Sequence, residues 1–271
     1  MYGFYDIMSA NTAMRRAEKT FWLIYRFPFF YRKVIFMSIL PVPDRQILVR
    51  KASEDARQYV YRVIKTCILN LFLPPSRKLS EISLAKSLEV SRTPVHDTFF
   101  KLARENLVDI YPKRGAYVSR IDPKRIEQSV WTHIQLGTSM LNSIYVKQPE
   151  HSQFMALRYL LRQLDDELRH DGLYSPSQII TEYYHQLYIL GGNMEILWNS
   201  VQKNDVDFFR LLHLAVENPV VEKGFYYELA NLTDAIAERD GDRASQLLTG
   251  HFSRILLLLP PVRTKKPDYF N

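Results

Sequence analysis

Between residues 56 and 118 the spacing of apolar residues changes once, from helical to alternating, and that change leaves few folds open to the stretch. Over residues 56–71, Tyr59, Val60, Val63, Ile64, Cys67, Ile68 and Leu71 recur at three- and four-residue steps, which predicts an amphipathic helix. Pro74 and Pro75 end it, because proline donates no backbone hydrogen bond and its ring disfavours α geometry in the residue before. Ser80 is placed to cap a second helix, with Glu81 at its positive end and Leu84, Ala85 and Leu88 on its apolar face. In the string SRTPVHD, Thr93 is expected to cap a third helix and Pro94 to take its first position, with Val95, Phe99 and Leu102 facing the core. Residues 107–111 and 116–118 then alternate as two short strands joined by Pro112, Lys113, Arg114 and Gly115.

Two short helices with a tight turn between them, followed by a strand pair, predict a helix-turn-helix with a β-wing. The third helix opens on Ser91, Arg92, Thr93 and Pro94, and its first turn offers unpaired N–H groups to phosphate oxygens. Arg92 suits a phosphate or a guanine edge, and His96 lies one turn further on the outer face. Lys113 and Arg114 put two cations at the wing tip, where Gly115 permits close backbone approach. The charge distribution points the same way. Residues 45–125 carry 17 Lys and Arg against 8 Asp and Glu, whereas residues 126–271 carry 13 against 18. A basic stretch ahead of an acidic one predicts that one domain meets a polyanion and the other does not.

The runs PPSRKLSEISLAKSLEVSRTPV and ENLVDIYPKRGAYV resemble the GntR family of bacterial transcription regulators. The resemblance implies a winged helix-turn-helix over residues 45–120 and contacts to double-stranded DNA from Ser91, Arg92, Thr93, Arg114 and Gly115, to which Lys113 and His96 are added as candidates. This chain departs from the family pattern at named positions. His96 stands where the second arginine of the recognition helix is usual, Ile82 replaces another arginine, and Ser76, Glu89 and Asn106 stand where the family has glycine. The change at His96 implies an operator that differs from the commonest family half-site.

After Asp122-Pro123, a helix-start signal, Pro149, Gly172, Pro176, Gly191, Gly192, Pro219 and Gly241 punctuate the chain. The intervals 123–147, 150–170, 177–190, 194–216, 220–240 and 242–259 are of helix length, so the fold is expected to be mainly α: the winged domain, then an antiparallel all-helical bundle of about six helices over residues 121–262. Ile255, Leu256, Leu257, Leu258 and Leu259 make the last helix apolar all round, which predicts packing on more than one neighbour or on a second subunit. The tail, residues 263–271, is expected to be loose. YYHQLYILGGNMEIL and DAIAERDGDRASQLLTGHF resemble the FadR branch of the family, whose FCD-type C-terminal domain is a helical ligand sensor and dimeriser. That resemblance implies a homodimer on a palindromic operator and a small-molecule effector such as an organic acid. Many members also hold a divalent metal with one Asp and three His. Here His185 and His251 match two ligand positions, but Thr181 and Leu229 stand at the others, so the ligand set is incomplete. Thr181, His185 and His251 are expected to line an effector pocket instead, while His133, His151, His170 and His213 read as surface or packing residues.

Cys67, the only cysteine, excludes an internal disulfide, fits a reducing cytoplasm and reads as core packing. Residues 1–44 read as an N-terminal extension, either a disordered arm or an over-extended start with Met37 as the working one. The aromatic run over residues 21–30 is broken by Arg26 and Pro28 and is too short to span a bilayer. The expected function is a transcriptional repressor modulated by a small molecule, and not an enzyme. The alternatives are a regulator that has lost metal and effector sensing, and a helical metalloenzyme with a nucleic-acid module.

Overall fold

In the computed structural model, which describes residues 48–147, 149–169, 175–192 and 194–271, the first apolar stripe folds as α1 (Ala56–Leu69). Readings that fall on residues 1–44, on Met37, on His170 or on the His151 side chain lie outside the described residues. A capping box starts α1: Gln58 N–H donates to Asp55 Oδ1 (2.7 Å) and Asp55 N–H to Gln58 Oε1 (2.9 Å). Ser80 caps α2 (Glu81–Ser87), its Oγ accepting from Ser83 N–H. The next helix, α3 (Arg92–Arg104), starts earlier than its sequence suggests. Ser91 is the cap and Pro94 the third residue, a position whose N–H lacks a helical partner anyway.

Strand β1 (Lys78–Leu79) and strand β2 (Val108–Tyr111) both pair antiparallel with β3 (Gly115–Val118), giving the order β1-β3-β2. Two residues are too few to alternate, which is why β1 leaves no mark on the sequence pattern. Leu79, Val108, Ala116 and Val118 from the sheet close the core made by the inner faces of α1, α2 and α3. Cys67 is buried there, and burial pushes its thiol up to about 12. Ser76, Glu89 and Asn106 all have left-handed backbones (φ 67°, 54° and 57°). The three turns thus keep the geometry that suits glycine although glycine is gone.

Seven helices follow among the described residues: α4 (Pro123–Lys147), α5 (His151–Arg169), α6 (Pro176–Leu190), α7 (Glu195–Asn204), α8 (Val206–Ala215), α9 (Pro219–Ala237) and α10 (Gly241–Lys265). In the helical half the most extensive packing is between α4 and α10, α5 and α6, α5 and α9, and α9 and α10. The interval 194–216 divides at Asp205, which is buried with its Oδ2 2.7 Å from His133 Nε2 on α4. Pro260 and Pro261 do not end α10. Each removes one backbone bond, to the carbonyls of Leu256 and Leu257, and Leu257 is 72% exposed, so water can serve its carbonyl. Ile255 is buried and Leu256, Leu258 and Leu259 pack on the bundle, which leaves Leu257 as the outward residue of that run.

The tail corrects its sequence reading, for it is tied down. After a 3-10 turn at Pro267–Tyr269, Phe270 is buried beside Ile121. Ile121 N–H donates to the Tyr269 carbonyl (2.8 Å), Asn271 N–H donates to the Ile121 carbonyl (3.1 Å), and Ser76 Oγ donates to the Asp268 carbonyl (3.2 Å). A second tie between the two halves comes from α8. Arg210, wholly buried, donates to the carbonyls of Ser119 (2.7 Å) and Arg120 (3.4 Å) and pairs with Asp207. Asp207 Oδ2 also lies 2.7 Å from Arg125 Nε and accepts the Asp122 N–H at 3.3 Å. Val206 inserts into the core of the winged domain.

Candidate nucleic-acid interface

Helix α3 buries Pro94, Val95, Thr98, Phe99 and Leu102, which leaves Ser91, Arg92, Thr93, His96 and Phe100 exposed on its other side. Ser91 caps the helix without a side-chain hydrogen bond to it. Arg92, 66% exposed, has Nη2 3.6 Å from Glu81 Oε2, too long for a hydrogen bond. An exposed pair of this kind contributes under about 1 kcal/mol, so a phosphate or base edge can displace it. His96 Nδ1 lies 2.8 Å from the other Glu81 oxygen, and its ring meets Phe100 edge-on at 4.9 Å. Sequence reading gave Glu81 only a helix-end role; its place between Arg92 and His96 depends on the angle between α2 and α3, which spacing does not reveal.

Tyr111, Pro112, Lys113, Arg114 and Gly115 are exposed at the wing tip. Arg114 N–H donates to the Tyr111 carbonyl (3.1 Å) and closes the turn, with Lys113 and Gly115 both at positive φ (62° and 102°). Below the tip, Tyr117 meets Tyr111 edge-on at 5.9 Å, and Lys78 Nζ lies 6.0 Å from the Tyr117 ring centre. Among the described residues neither Lys113 nor Arg114 has a carboxylate partner, whereas Arg62 and Lys65 on α1 are paired with Glu54 and Glu105. Uncompensated cations at a protruding tip, beside a helix that presents an arginine at its N-terminus, suit a polyanion.

Residues 56–118 match the model of the bacterial regulatory proteins of the gntR family. Residues 56–118 are thus a GntR-family DNA-binding domain. Similarity to GntR-family and other HTH-type regulators extends past the matched domain. The HTH-type transcriptional repressor RspR of Escherichia coli K12 is 23% identical over 229 residues, which cover 81% of this chain and 95% of that protein. A regulator from an unstable DNA locus of Streptomyces ambofaciens is 27% identical over 215 residues, 79% of this chain and 89% of its own length. The solved structure of E. coli McbR/YncC superposes with a TM-score of 0.65 at 18% identity, covering 77% of this chain and 99% of that one. A putative GntR regulator from Rhodococcus sp. RHA1 gives 0.64 at 17%, covering 75% and 97%. These similarities establish the mainly helical two-part fold, and the relatives are transcription regulators rather than enzymes. Among the described residues no helix is long and apolar enough to cross a membrane.

In the helical half, His185 and His251 have separate partners. His185 Nε2 lies 2.9 Å from Glu195 Oε1 and its ring stacks on Trp198. Thr181 Oγ1 donates back to the Ser177 carbonyl at 2.7 Å. His251 is buried, with Nδ1 2.8 Å from Glu228 Oε2 and Nε2 2.8 Å from the Tyr184 hydroxyl. Burial holds His251 below the usual imidazole range although Glu228 opposes the shift, and burial also drives the Tyr184 hydroxyl well above its ordinary value. His133, read from the sequence as an ordinary packing or surface residue, belongs to this cluster: its ring stacks on Phe252 at 4.5 Å beside Tyr184 and Phe208. Its partner Asp205 is distant in sequence, so no spacing rule connects them. Among the described residues no group of three or more His, Cys, Asp or Glu could hold a metal ion. Two surface cavities, of about 200 Å³ beside Tyr145 and Phe154 and about 320 Å³ beside Arg158 and Tyr226, are lined by none of Thr181, His185 and His251.

Proposed function

We propose that this regulator is a repressor that binds a palindromic operator as a homodimer in the cytoplasm. Residues 45–120 read the DNA, and residues 121–262 dimerise and receive a small-molecule effector such as an organic acid. The observation that carries the proposal is the exposed cation at the start of α3, Arg92, together with the unpaired Lys113 and Arg114 at the wing tip, on the most basic stretch of the chain. Ser91, Thr93 and Gly115 complete the contact set through hydroxyls and a close backbone, and His96 reads a base edge. Repression is stated in the name of the E. coli relative and extends here as part of the proposal. The test is retention of a random-sequence duplex pool on the purified full chain, with salt titration. Binding that enriches one motif and weakens steeply as salt rises supports the reading. A chain that retains no duplex even at low salt overturns it.

A second reading, a regulator without a metal or effector switch, is favoured by one observation. His185 and His251 each have a carboxylate of their own, and the buried cluster around His251 is filled by Tyr184, Phe225 and Phe252. Thermal melting against organic acids and divalent metals separates the two. A saturable rise in melting temperature supports the sensor; unchanged melting across the series supports the switchless regulator.

A further inference from the structure

His96 stands one turn beyond Arg92 on the exposed side of α3, its side chain 54% exposed. Its Nδ1 lies 2.8 Å from Glu81 Oε1, and an ionised carboxylate only accepts hydrogen bonds. The ring proton therefore sits on Nδ1. In the neutral imidazole this leaves Nε2 as a lone-pair acceptor, and among the described residues Nε2 has no protein partner. Contact with Phe100 and the Glu81 bond together fix the plane of the ring. The same carboxylate lies 3.6 Å from Arg92, so one residue of α2 faces both Arg92 and His96 but holds only His96 by a hydrogen bond.

The two side chains ask for opposite things. A guanidinium carries donors only and matches guanine, which offers O6 and N7 in the major groove. An imidazole acceptor matches a base that offers an amine there, cytosine through N4 or adenine through N6. We infer that His96 is a specificity-determining residue that reads an exocyclic amine in the major groove, and that Glu81 is the positioning residue that sets its tautomer and orientation. This rests on the DNA-binding reading above and adds which base chemistry the helix selects. The operator half-site then carries a cytosine or adenine next to the position that Arg92 reads.

The experiment is selection from a random duplex pool at about pH 8, above the ordinary imidazole pKa, with the full chain and its His96→Arg, His96→Ala and Glu81→Ala variants, and with helix content checked by circular dichroism. The intact chain is expected to enrich a motif with one position per half-site at which cytosine or adenine exceeds guanine by about three- to tenfold, the range of one neutral hydrogen bond. His96→Arg should turn that position to guanine and leave the others unchanged. His96→Ala should flatten it, and Glu81→Ala should blur it while the melting temperature stays close to that of the parent. A parent motif with guanine there, or a motif that His96→Arg leaves unchanged, overturns the assignment while DNA reading stands. No enrichment by the parent overturns the DNA-binding reading itself, and the assignment with it.

Discussion

Glu89 is exposed and held at φ 54°, a backbone that costs a side-chain-bearing residue about 1–2 kcal/mol and glycine almost nothing. Glu89→Gly should therefore stabilise the winged domain by about 1 kcal/mol, less than the full strain because glycine also gains freedom in the unfolded chain. Urea unfolding measures it. Asn106→Gly should gain less, since asparagine tolerates the left-handed region better. That glycine is missing at these turns is legible in the sequence; that the backbone did not adapt to its loss is seen only in the structure. Histidine protonation sets a second residue-scale expectation. Burial lowers His251 and His213 from the usual value, so the unfolded chain takes up protons first as the pH falls. Their neutral forms favour the fold above about pH 6.5, and that stability is lost as the pH drops below it toward the lowered folded values. Thermal melting between about pH 8 and 5 should show a falling midpoint, with a shallower fall in His251→Gln.

At the scale of elements, the wing depends on a single glycine. Gly115 has φ 102°, outside the left-handed well that other residues visit, although a Cβ there would meet only Lys78 Cε at 3.5 Å. The cost of Gly115→Val is therefore backbone strain, of about 1–3 kcal/mol, with little steric clash. Duplex binding should weaken through displacement of Lys113 and Arg114, and fluorescence anisotropy checks it. Parental affinity in that variant would mean that the tip contributes no contact. The helices and wing strands were legible because each has a period long enough to count. Strand β1 has two residues, and the division of 194–216 rests on Asp205 turning to His133, a contact with no local trace. The start of α3 was misplaced because Thr93-Pro94 fits a helix opening as well as Ser91-Arg92 does.

At the scale of the whole molecule, the two halves meet through Asp207, Arg210 and the C-terminal residues, none of which carries a sequence signature of contact. A proline-interrupted basic tail reads as solvent-loving, but Phe270 finds a buried place beside Ile121 in the core of the helical half, a contact far apart in sequence. Asp207→Ala should destabilise the chain by about 3–5 kcal/mol, because it leaves the buried Arg210 guanidinium without its countercharge. Differential scanning calorimetry should show the lower midpoint, whereas no change would mean that Arg210 finds full compensation in the Ser119 and Arg120 carbonyls. The central claim, that Arg92 heads the reading surface of a DNA-binding regulator, is tested most directly by duplex affinity. Binding of the motif selected by the parent is compared between the parent and Arg92→Ala, with a scrambled duplex as reference. Specific affinity should fall at least about tenfold at unchanged helix content, while the weaker binding to scrambled DNA changes little. Arg92→Ala binding the motif as tightly and as selectively as the parent would contradict the account.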